Sequence, residues 1–163
     1  MPEIDAYFCF KRVLLHHCRN YVQPNIRFVL EGVNLMDKVM KICDQELYDF
    51  FSSHNVHTVA YAYSGIMSFL EDRLPVEELL RIWDFLLAFG LHMNILINAA
   101  NYMVKRDDIF KLTSFNMIPQ QQFLKEVTAR EMINKAMQIL PQISDELYTK
   151  ISEHIWNRDY VIQ

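Results

Sequence analysis

The sequence predicts an all-α protein, folded as a single irregular helical domain of about seven to nine helices. Hydrophobic residues make up 52% of the 163 residues and 13% are aromatic, which is enough apolar material for a buried core. Only 3 glycines and 5 prolines occur. This supply of turn residues is too small for a β-sandwich or a β-barrel, and it favours helices joined by short links. Apolar residues also recur at steps of three and four along most of the chain, as in amphipathic helices.

Two helices are predicted in the first third of the chain. The first runs from Ile4 to about Val22 and is closed by Pro24. Asn34 is expected to cap the second helix. The buried stripe of this second helix is formed by Met36, Val39, Met40, Cys43, Leu47, Phe50 and Phe51.

A mostly apolar helix is predicted between His57 and Leu70. Its small positions are Ser64, Gly65 and Ser68. Small side chains let a neighbouring helix approach closely, so we expect this helix to lie in the interior.

The segment from Leu74 to Gly90 predicts a helix with clear ends, because Pro75 suits the first helical position and Gly90 suits the position after the last turn. One apolar stripe is formed by Val76, Leu79, Leu80, Trp83, Leu86 and Leu87, and a second by Ile82, Phe85 and Phe89. We therefore expect this helix to be central, with Trp83 as a core anchor. Weak surface ion pairs are expected among Glu77, Arg81 and Asp84.

The remaining helices are predicted from His92 to Val104, after a break at residues 106–108, after a cap at Thr128, and from Ser144 onward. The 92–104 helix carries a polar line that is expected to face solvent or a groove; it consists of Asn94, Asn98, Asn101 and Lys105. The stretch Glu46-Leu47-Tyr48 recurs as Glu146-Leu147-Tyr148. Because repeat arrays have periods of ~20–50 residues, we attribute this echo to shared helix-start chemistry.

Charge and composition exclude several function classes. The net charge of -4 gives no basic face for nucleic acid, so we expect protein partners. No apolar run reaches the ~20 residues of a transmembrane segment. Three cysteines without a secretory signal predict reduced thiols and a cytoplasmic protein.

The sequence predicts no catalytic, cofactor-binding or metal site of its own. His16, His17 and Cys18, and the pair His54 and His57, lack the further ligands that a structural zinc site requires. There is no nucleophile elbow, phosphate-binding loop or zinc-protease motif. Cys9, Cys18 and Cys43 lie on or beside apolar stripes and are expected to be small buried hydrophobic residues.

Leu74-Pro75 followed by Leu80-Arg81-Ile82-Trp83-Asp84 resembles the signature of the TBC domain, the helical GTPase-activating module for Rab-type small GTPases. The stretch Asp44-Gln45-Glu46-Leu47-Tyr48-Asp49-Phe50 resembles the family's Asp-Pro-Glu-Leu-Tyr helix start, with Gln45 in place of the usual proline. The resemblance implies that residues 1–163 are the carboxyl-terminal part of a TBC domain without an internal boundary. Within the family, the chain most resembles the mitotic-checkpoint branch through Tyr61-Ala62-Tyr63, Asn94-Ile95-Leu96 and Arg106-Asp107.

The family accelerates GTP hydrolysis with an arginine finger in Ile-x-x-Asp-x-x-Arg and a glutamine finger in Tyr-x-Gln. No Asp-x-x-Arg occurs in this chain. Tyr21-Val22-Gln23 is followed by Pro24 where the family has glycine, so Gln23 is not expected to be the finger. Tyr63-Ser64 stands where the family often has Arg-Trp, which puts in doubt a structural partner for Asp84.

The resemblance therefore implies a regulator of a Rab-like GTPase in mitotic exit control, in which this chain is the non-catalytic half. It also implies a second checkpoint subunit as partner and a place in the cytoplasm or at the spindle pole. The alternatives are a scaffold that binds the GTPase or a checkpoint subunit without accelerating hydrolysis, and a generic helical ligand-binding protein. If the chain is a fragment, it should expose the apolar surface that its other half covers, and should self-associate or dissolve poorly.

Overall fold

The computed structural model describes residues 1–112 and 126–162, and these residues contain helices and turns but no β-strand. The helices are α1 (Glu3–Arg12), α2 (Arg27–Cys43), α3 (Gln45–Ser53), α4 (Thr58–Ser68), α5 (Val76–Phe89), α6 (Asn94–Val104), α7 (Arg106–Ile109), α8 (Ala129–Ile139) and α9 (Asp145–Glu153). A π-helical turn, Val13–His17, extends α1, and 3-10 turns lie at Leu91–Met93 and Leu140–Gln142. The predicted all-α fold is confirmed.

One hydrophobic core joins these helices. α6 lies at its centre, since every residue from Asn94 to Met103 is buried. α2, α4 and α8 pack around α6, while α5 packs on α8 and α9 packs on α2. Among the described residues, no helix is both long enough and apolar enough to cross a lipid bilayer.

The first predicted helix exists but ends earlier than expected. Helical structure stops at His17, and the chain turns after Cys18, before the predicted end near Val22. α1 contains no buried residue. Cys9 on α1 is exposed, so the expectation that it is a buried hydrophobic residue is wrong, whereas Cys18 is buried as expected.

The helix that we expected to be capped by Asn34 is two helices. α2 begins at Arg27, and Asn34 lies exposed in its middle. The chain breaks at Asp44, whose carboxylate accepts a hydrogen bond from the Leu47 amide at 3.1 Å and so caps α3. The predicted stripe remains apolar and inward-facing across the break; Met36, Val39, Met40, Leu47 and Phe51 are buried, and Cys43 and Phe50 are half-buried.

α4 lies in the interior on one face only, because Val59 and Met67 on its other face are exposed. The close approach predicted at its small residues is found at Gly65. A Cβ atom added there would lie 2.4 Å from Oδ1 of Asn98 on α6. The absence of a side chain at Gly65 therefore sets the spacing between α4 and α6.

The polar line on α6 is buried, and the prediction that it faces solvent or a groove is wrong. Asn94 donates its side-chain amide to the Ile66 carbonyl of α4 at 2.9 Å. Asn98 donates to the Gly65 carbonyl at 3.4 Å and to Oδ1 of Asn94 at 2.9 Å. Asn101 and Lys105 are also buried, and burial, with a smaller contribution from nearby Arg73, lowers the pKa of Lys105 to about 8.

The predicted break at residues 106–108 is itself the helical turn α7, and the short helix expected after it falls partly on residues 113–125, outside the described part of the chain. The Thr128 cap is confirmed: its hydroxyl accepts from the Glu131 amide, and the Glu131 carboxylate accepts from the Thr128 amide, which is a capping box. Ser144 caps α9 in the same way that Asp44 caps α3. This shared capping accounts for the repeated Glu-Leu-Tyr stretch.

Candidate functional site

The landmark helix α5 begins and ends close to the predicted residues. Pro75, which we expected at the first helical position, is instead the N-cap residue of α5, and its carbonyl accepts from the Glu78 and Leu79 amides at 3.1 and 2.9 Å. Leu74 is half-buried against the core. Gly90 ends the helix with a φ of 114°, a conformation that L side chains rarely adopt.

α5 is a surface helix, and the prediction that it is central is wrong. Its core-facing side is formed by Ile82, Phe85 and Leu86. The main stripe expected in the core is largely exposed: the fractional exposure is 65% for Val76, 60% for Leu80 and 57% for Leu87. We refer to these three residues, which recur at four- and seven-residue steps, as the α5 face. A row of apolar side chains of this kind in contact with water is typical of a protein-binding surface.

Trp83 lies between the core side of α5 and the α5 face. It is half-buried and donates its indole N–H to the Phe69 carbonyl at 3.3 Å. The two aromatic rings meet edge to face, with 6.0 Å between their centroids. Trp83 therefore packs against the end of α4 and does not reach the centre of the core.

The charged landmark residues of α5 are exposed. Arg81 pairs with Glu78, and not with Glu77 or Asp84 as expected. Asp84 forms no hydrogen bond or ion pair within residues 1–112 and 126–162. Glu78 has a further role that the sequence did not indicate, because its carboxylate accepts from the Ala129 amide at 2.6 Å and so ties α5 to the start of α8.

The second landmark lies on another part of the molecule, since α3 packs on α2 while α5 packs on α8. Leu47 is buried, and Tyr48 is half-buried with the Lys41 ammonium 5.8 Å from its ring centroid. Glu46 pairs with Arg106, which also lies 3.4 Å from the carboxylate of Asp44. The two landmarks therefore stabilise separate helix starts and do not form one site.

An apolar cleft opens beside Trp83, between α1 with its π-helical turn, the end of α4, and the stretch from the middle of α5 to Leu91. Its lining consists of Phe10, Val13, Leu14, Cys18, Tyr21, Val22, Met67, Ser68, Phe69, Trp83 and Leu91. Burial raises the pKa of the Cys18 thiol to about 11, so that this thiol stays protonated and is a poor nucleophile. The cleft suits the binding of an apolar segment. The sequence alone did not indicate it, because its walls come from separate stretches of the chain, within residues 10–22 and within residues 67–91.

A buried polar cluster supports the floor of this cleft. The Tyr21 hydroxyl lies 2.8 Å from Nε2 of His154, and Nδ1 of His154 lies 2.7 Å from the Ile151 carbonyl. Because a carbonyl only accepts, Nδ1 carries the proton and Nε2 accepts from the tyrosine. Burial lowers the pKa of His154 to about 4, so the imidazole is neutral.

The remaining candidate residues are spread over the surface. Gln23 is exposed and donates its side-chain amide to the Arg19 carbonyl at 3.0 Å. His16, His17, His54 and His57 are also exposed. In the described ranges, no three His, Cys, Asp or Glu side chains are close enough together to hold a metal ion.

Comparisons with known proteins agree with the resemblance. The chain matches the putative mitotic check point protein BUB2 of Dictyostelium discoideum at 30% identity over 158 residues, covering 94% of this chain and 41% of that protein. It matches cell division control protein 16 of Schizosaccharomyces pombe at 29% identity, covering 96% of this chain and 52% of that protein. The chain matches the mitotic check point protein BUB2 of Saccharomyces cerevisiae at 26% identity, covering 98% of this chain and 52% of that protein.

The chain thus spans about half the length of the curated relatives it matches. No solved structure matches it. The family model described as the Rab-GTPase-TBC domain matches residues 1–110, a stretch that contains both landmarks and the whole of α5. On this match, the chain belongs to the Rab-GTPase-TBC domain family.

Proposed function

We propose that this chain is the non-catalytic, carboxyl-terminal part of a TBC domain in a GTPase-activating protein, and that the whole protein acts on a Rab-like small GTPase in mitotic exit control. The observation that carries the proposal is the family match over residues 1–110. The mitotic role is supported by the three relatives, all named for mitosis or cell division, that align with nearly the whole chain.

The non-catalytic assignment follows from the residues that GTP hydrolysis needs. An arginine finger neutralises charge on the transferred phosphoryl group, and a glutamine orients the attacking water. The chain has no Asp-x-x-Arg motif, and the side chain of Gln23 already donates to the backbone of its own loop. The proposal therefore places both fingers in a part of the protein outside residues 1–163.

The α5 face and the apolar cleft give this half its role, which is to hold the catalytic half in place. The two surfaces adjoin at Trp83, which lines the cleft and is carried by the helix that bears the α5 face. The catalytic half is the occupant we propose, because about half of each relative's length lies outside the region aligned with this chain. Leu80 and Leu87 on α5 and Phe10 on α1 would then become buried in the whole protein.

The test is GTP hydrolysis by a panel of Rab-type GTPases in multiple turnover, with phosphate release as the readout. The full-length protein should accelerate hydrolysis by one GTPase on the order of 10³-fold or more, and the 163-residue chain alone should not. In the full-length protein, Leu80→Ser should lower both the acceleration and the melting temperature. Ile42→Ser, an equally exposed aliphatic residue on α2, is the matched control and should change neither. Acceleration by the 163-residue chain alone would refute the non-catalytic assignment.

A non-catalytic scaffold is the second candidate. It is favoured by the missing finger motif and by Asp84, which is exposed and has Tyr63-Ser64 in place of the family's frequent Arg-Trp. A scaffold would bind the GTPase, or a second checkpoint subunit, and leave the hydrolysis rate unchanged. Binding of the GTPase by the full-length protein without acceleration, for every member of the panel, would decide for the scaffold.

The proposal also includes a second checkpoint subunit as partner and a location in the cytoplasm that includes the spindle pole. Purification of the tagged full-length protein from mitotic cells should recover one subunit in equimolar amount together with the GTPase. A fluorescent fusion should mark the spindle pole during mitosis. Recovery of neither protein, with a uniformly diffuse fusion, would contradict this part of the proposal.

A further inference from the structure

A second, open cleft lies at the junction of the loop before α2 and the carboxyl-terminal segment. We call it the arginine cleft; its lining consists of Arg19, Asn20, Gln23, Asn25, Arg27, Phe28 and Arg158. Three guanidinium groups thus line one concave surface, and every other lining residue except Phe28 is an amide. The arginine cleft is separate from the α5 face and contains none of the landmark residues.

The charge of this cleft is uncompensated. No carboxylate lines it, and none of the three arginines forms an ion pair within the part of the chain that the structure describes. By contrast, Arg73, Arg81 and Arg106 elsewhere on the molecule are each paired with an acidic side chain. In a chain with a net charge of -4, three unpaired arginines in one cleft concentrate positive potential where an anion would bind.

Buried hydrogen bonds hold together the two backbone segments that carry Arg19 and Arg158. Asn20 is buried and donates its side-chain amide to the His154 carbonyl at 2.9 Å and to the Asn157 carbonyl at 2.8 Å. The Asn20 backbone amide also donates to the Ile155 carbonyl at 3.1 Å. Arg19 and Arg158 are the chain neighbours of these bonded residues. Two stretches more than 130 positions apart are therefore fixed against each other, and the cleft is formed before any ligand arrives.

The third arginine is placed by its own helix. Arg27 is the first residue of α2, its amide donates to Oδ1 of Asn25 at 3.3 Å, and its guanidinium lies 5.0 Å from the centroid of the Phe28 ring. The aromatic contact restricts the side chain without using its N–H donors. Arg27 and Phe28 are the first two residues of the 17-residue helix α2, so the positive end of its dipole lies beside the cleft.

We propose that the arginine cleft binds a phosphorylated serine or threonine of a protein partner. A phosphate monoester carries a charge of about -1.5 to -2 and three strong acceptor oxygens, which matches three guanidinium groups better than a single carboxylate does. The lining comes from two separate stretches of the chain and includes amide side chains beside the arginines, so residues that flank the phosphate can also be contacted, for example by Asn25. The acidic balance of the whole chain disfavours a membrane surface or a nucleic acid as the ligand.

The test measures binding of fluorescent peptides to the full-length protein. The probe is a degenerate library with one phosphoserine between four randomised positions on each side, compared with the same library containing serine. Arg19→Gln and Arg158→Gln should each weaken phosphopeptide binding by about tenfold or more, because each removes a charge-assisted hydrogen bond. Arg130→Gln, on the exposed side of α8, changes the net charge equally and should leave binding unchanged. Circular dichroism spectra and melting temperatures of all variants should match those of the wild type.

Four outcomes would overturn the proposal. The first is equal binding of the serine and phosphoserine libraries. The second is equal weakening by Arg130→Gln, which would indicate only non-specific charge attraction. The third is binding of inorganic phosphate alone, with no gain from the flanking peptide. The fourth is preferential binding to phosphatidylcholine vesicles in which about one lipid in twenty is phosphatidylinositol 4-phosphate. That result would assign the cleft to a membrane.

Discussion

The contact between Gly65 and Asn98 provides a quantitative test of how α4 packs on α6. In Gly65→Ala two effects oppose each other. Alanine is favoured over glycine in a helix by roughly 0.5–1 kcal/mol. Against this, the new Cβ would lie 2.4 Å from Oδ1 of Asn98, a separation that real structures do not tolerate.

The clash is costly because Asn98 is fully buried and already bonded. Its amide nitrogen donates to the Asn94 carbonyl at 3.0 Å and to Oδ1 of Asn94 at 2.9 Å. Moving the side chain breaks at least one of these bonds and leaves a buried donor unsatisfied, at about 1–3 kcal/mol for each group. After subtraction of the helix-propensity gain, we expect Gly65→Ala to lower the free energy of unfolding by about 1 kcal/mol.

The assay is urea denaturation followed by circular dichroism for Gly65→Ala, Asn98→Ala and the double variant. Removing the Asn98 side chain also removes the clash, so the double variant should be more stable than the sum of the two single effects by about 1 kcal/mol or more. If Gly65→Ala is as stable as the wild type, or if the two effects are additive, then the inferred contact between these helices does not limit their packing.

Three further predictions concern α5, pH and capping. In urea titrations of the 163-residue chain alone, Leu86→Ala should lower the free energy of unfolding by about 2–5 kcal/mol and Leu80→Ala by less than about 0.5 kcal/mol, because only Leu86 is buried in this chain; the reverse order would place the other side of α5 in the core. The unfolded chain protonates His154 below about pH 6.5, whereas the folded chain protonates it only near pH 4. The free energy of unfolding should therefore be highest above pH 6.5 and fall by roughly 3 kcal/mol between pH 6.5 and 4. His154→Gln should flatten this pH dependence, and an unchanged slope would exclude His154 as its source. Thr128→Ala should lower the melting temperature, because it removes about 1 kcal/mol of stabilisation by the helix N-cap, whereas Thr149→Ala inside α9 should lower it less. Equal effects of the two changes would show that Thr128 does not act as a cap.

The sequence predicted where helices begin and end better than it predicted which of their faces are buried. Thr128 and Ser144 start helices as predicted, and Gly90 ends α5. These features depend on side-chain and backbone bonds within three or four residues, so the local sequence contains all the partners. Periodicity missed the break at Asp44 between α2 and α3, because the apolar stripe continues with helical spacing across it. Only the resemblance to the family's helix start indicated that a helix begins there.

Some candidate sites could likewise be identified from the sequence, and others could not. The landmark residues around Trp83 and Leu47 could be identified from the chain itself, because family signatures are short and contiguous. The apolar cleft and the arginine cleft could not, because each is assembled from stretches far apart in sequence. Arg19 and Arg158 lie near each other because Asn20 is hydrogen-bonded to the carboxyl-terminal segment, and no local sequence pattern predicts these bonds.

By itself, the sequence determined that this protein is helical, where most of its helices start and stop, and which family landmark it carries. Only the tertiary structure decided which way the helices face. α5 is apolar on most of its surface, so periodicity placed Leu86 and Leu80 on one stripe, although Leu86 is buried and Leu80 is exposed; contact with α8 made this distinction. The asparagines of α6 look like a solvent-facing line, yet they are buried because Gly65 leaves carbonyls of α4 within reach of Asn94 and Asn98. Burial of a polar side chain depends on a distant partner, and that partner exists only once the chain has folded.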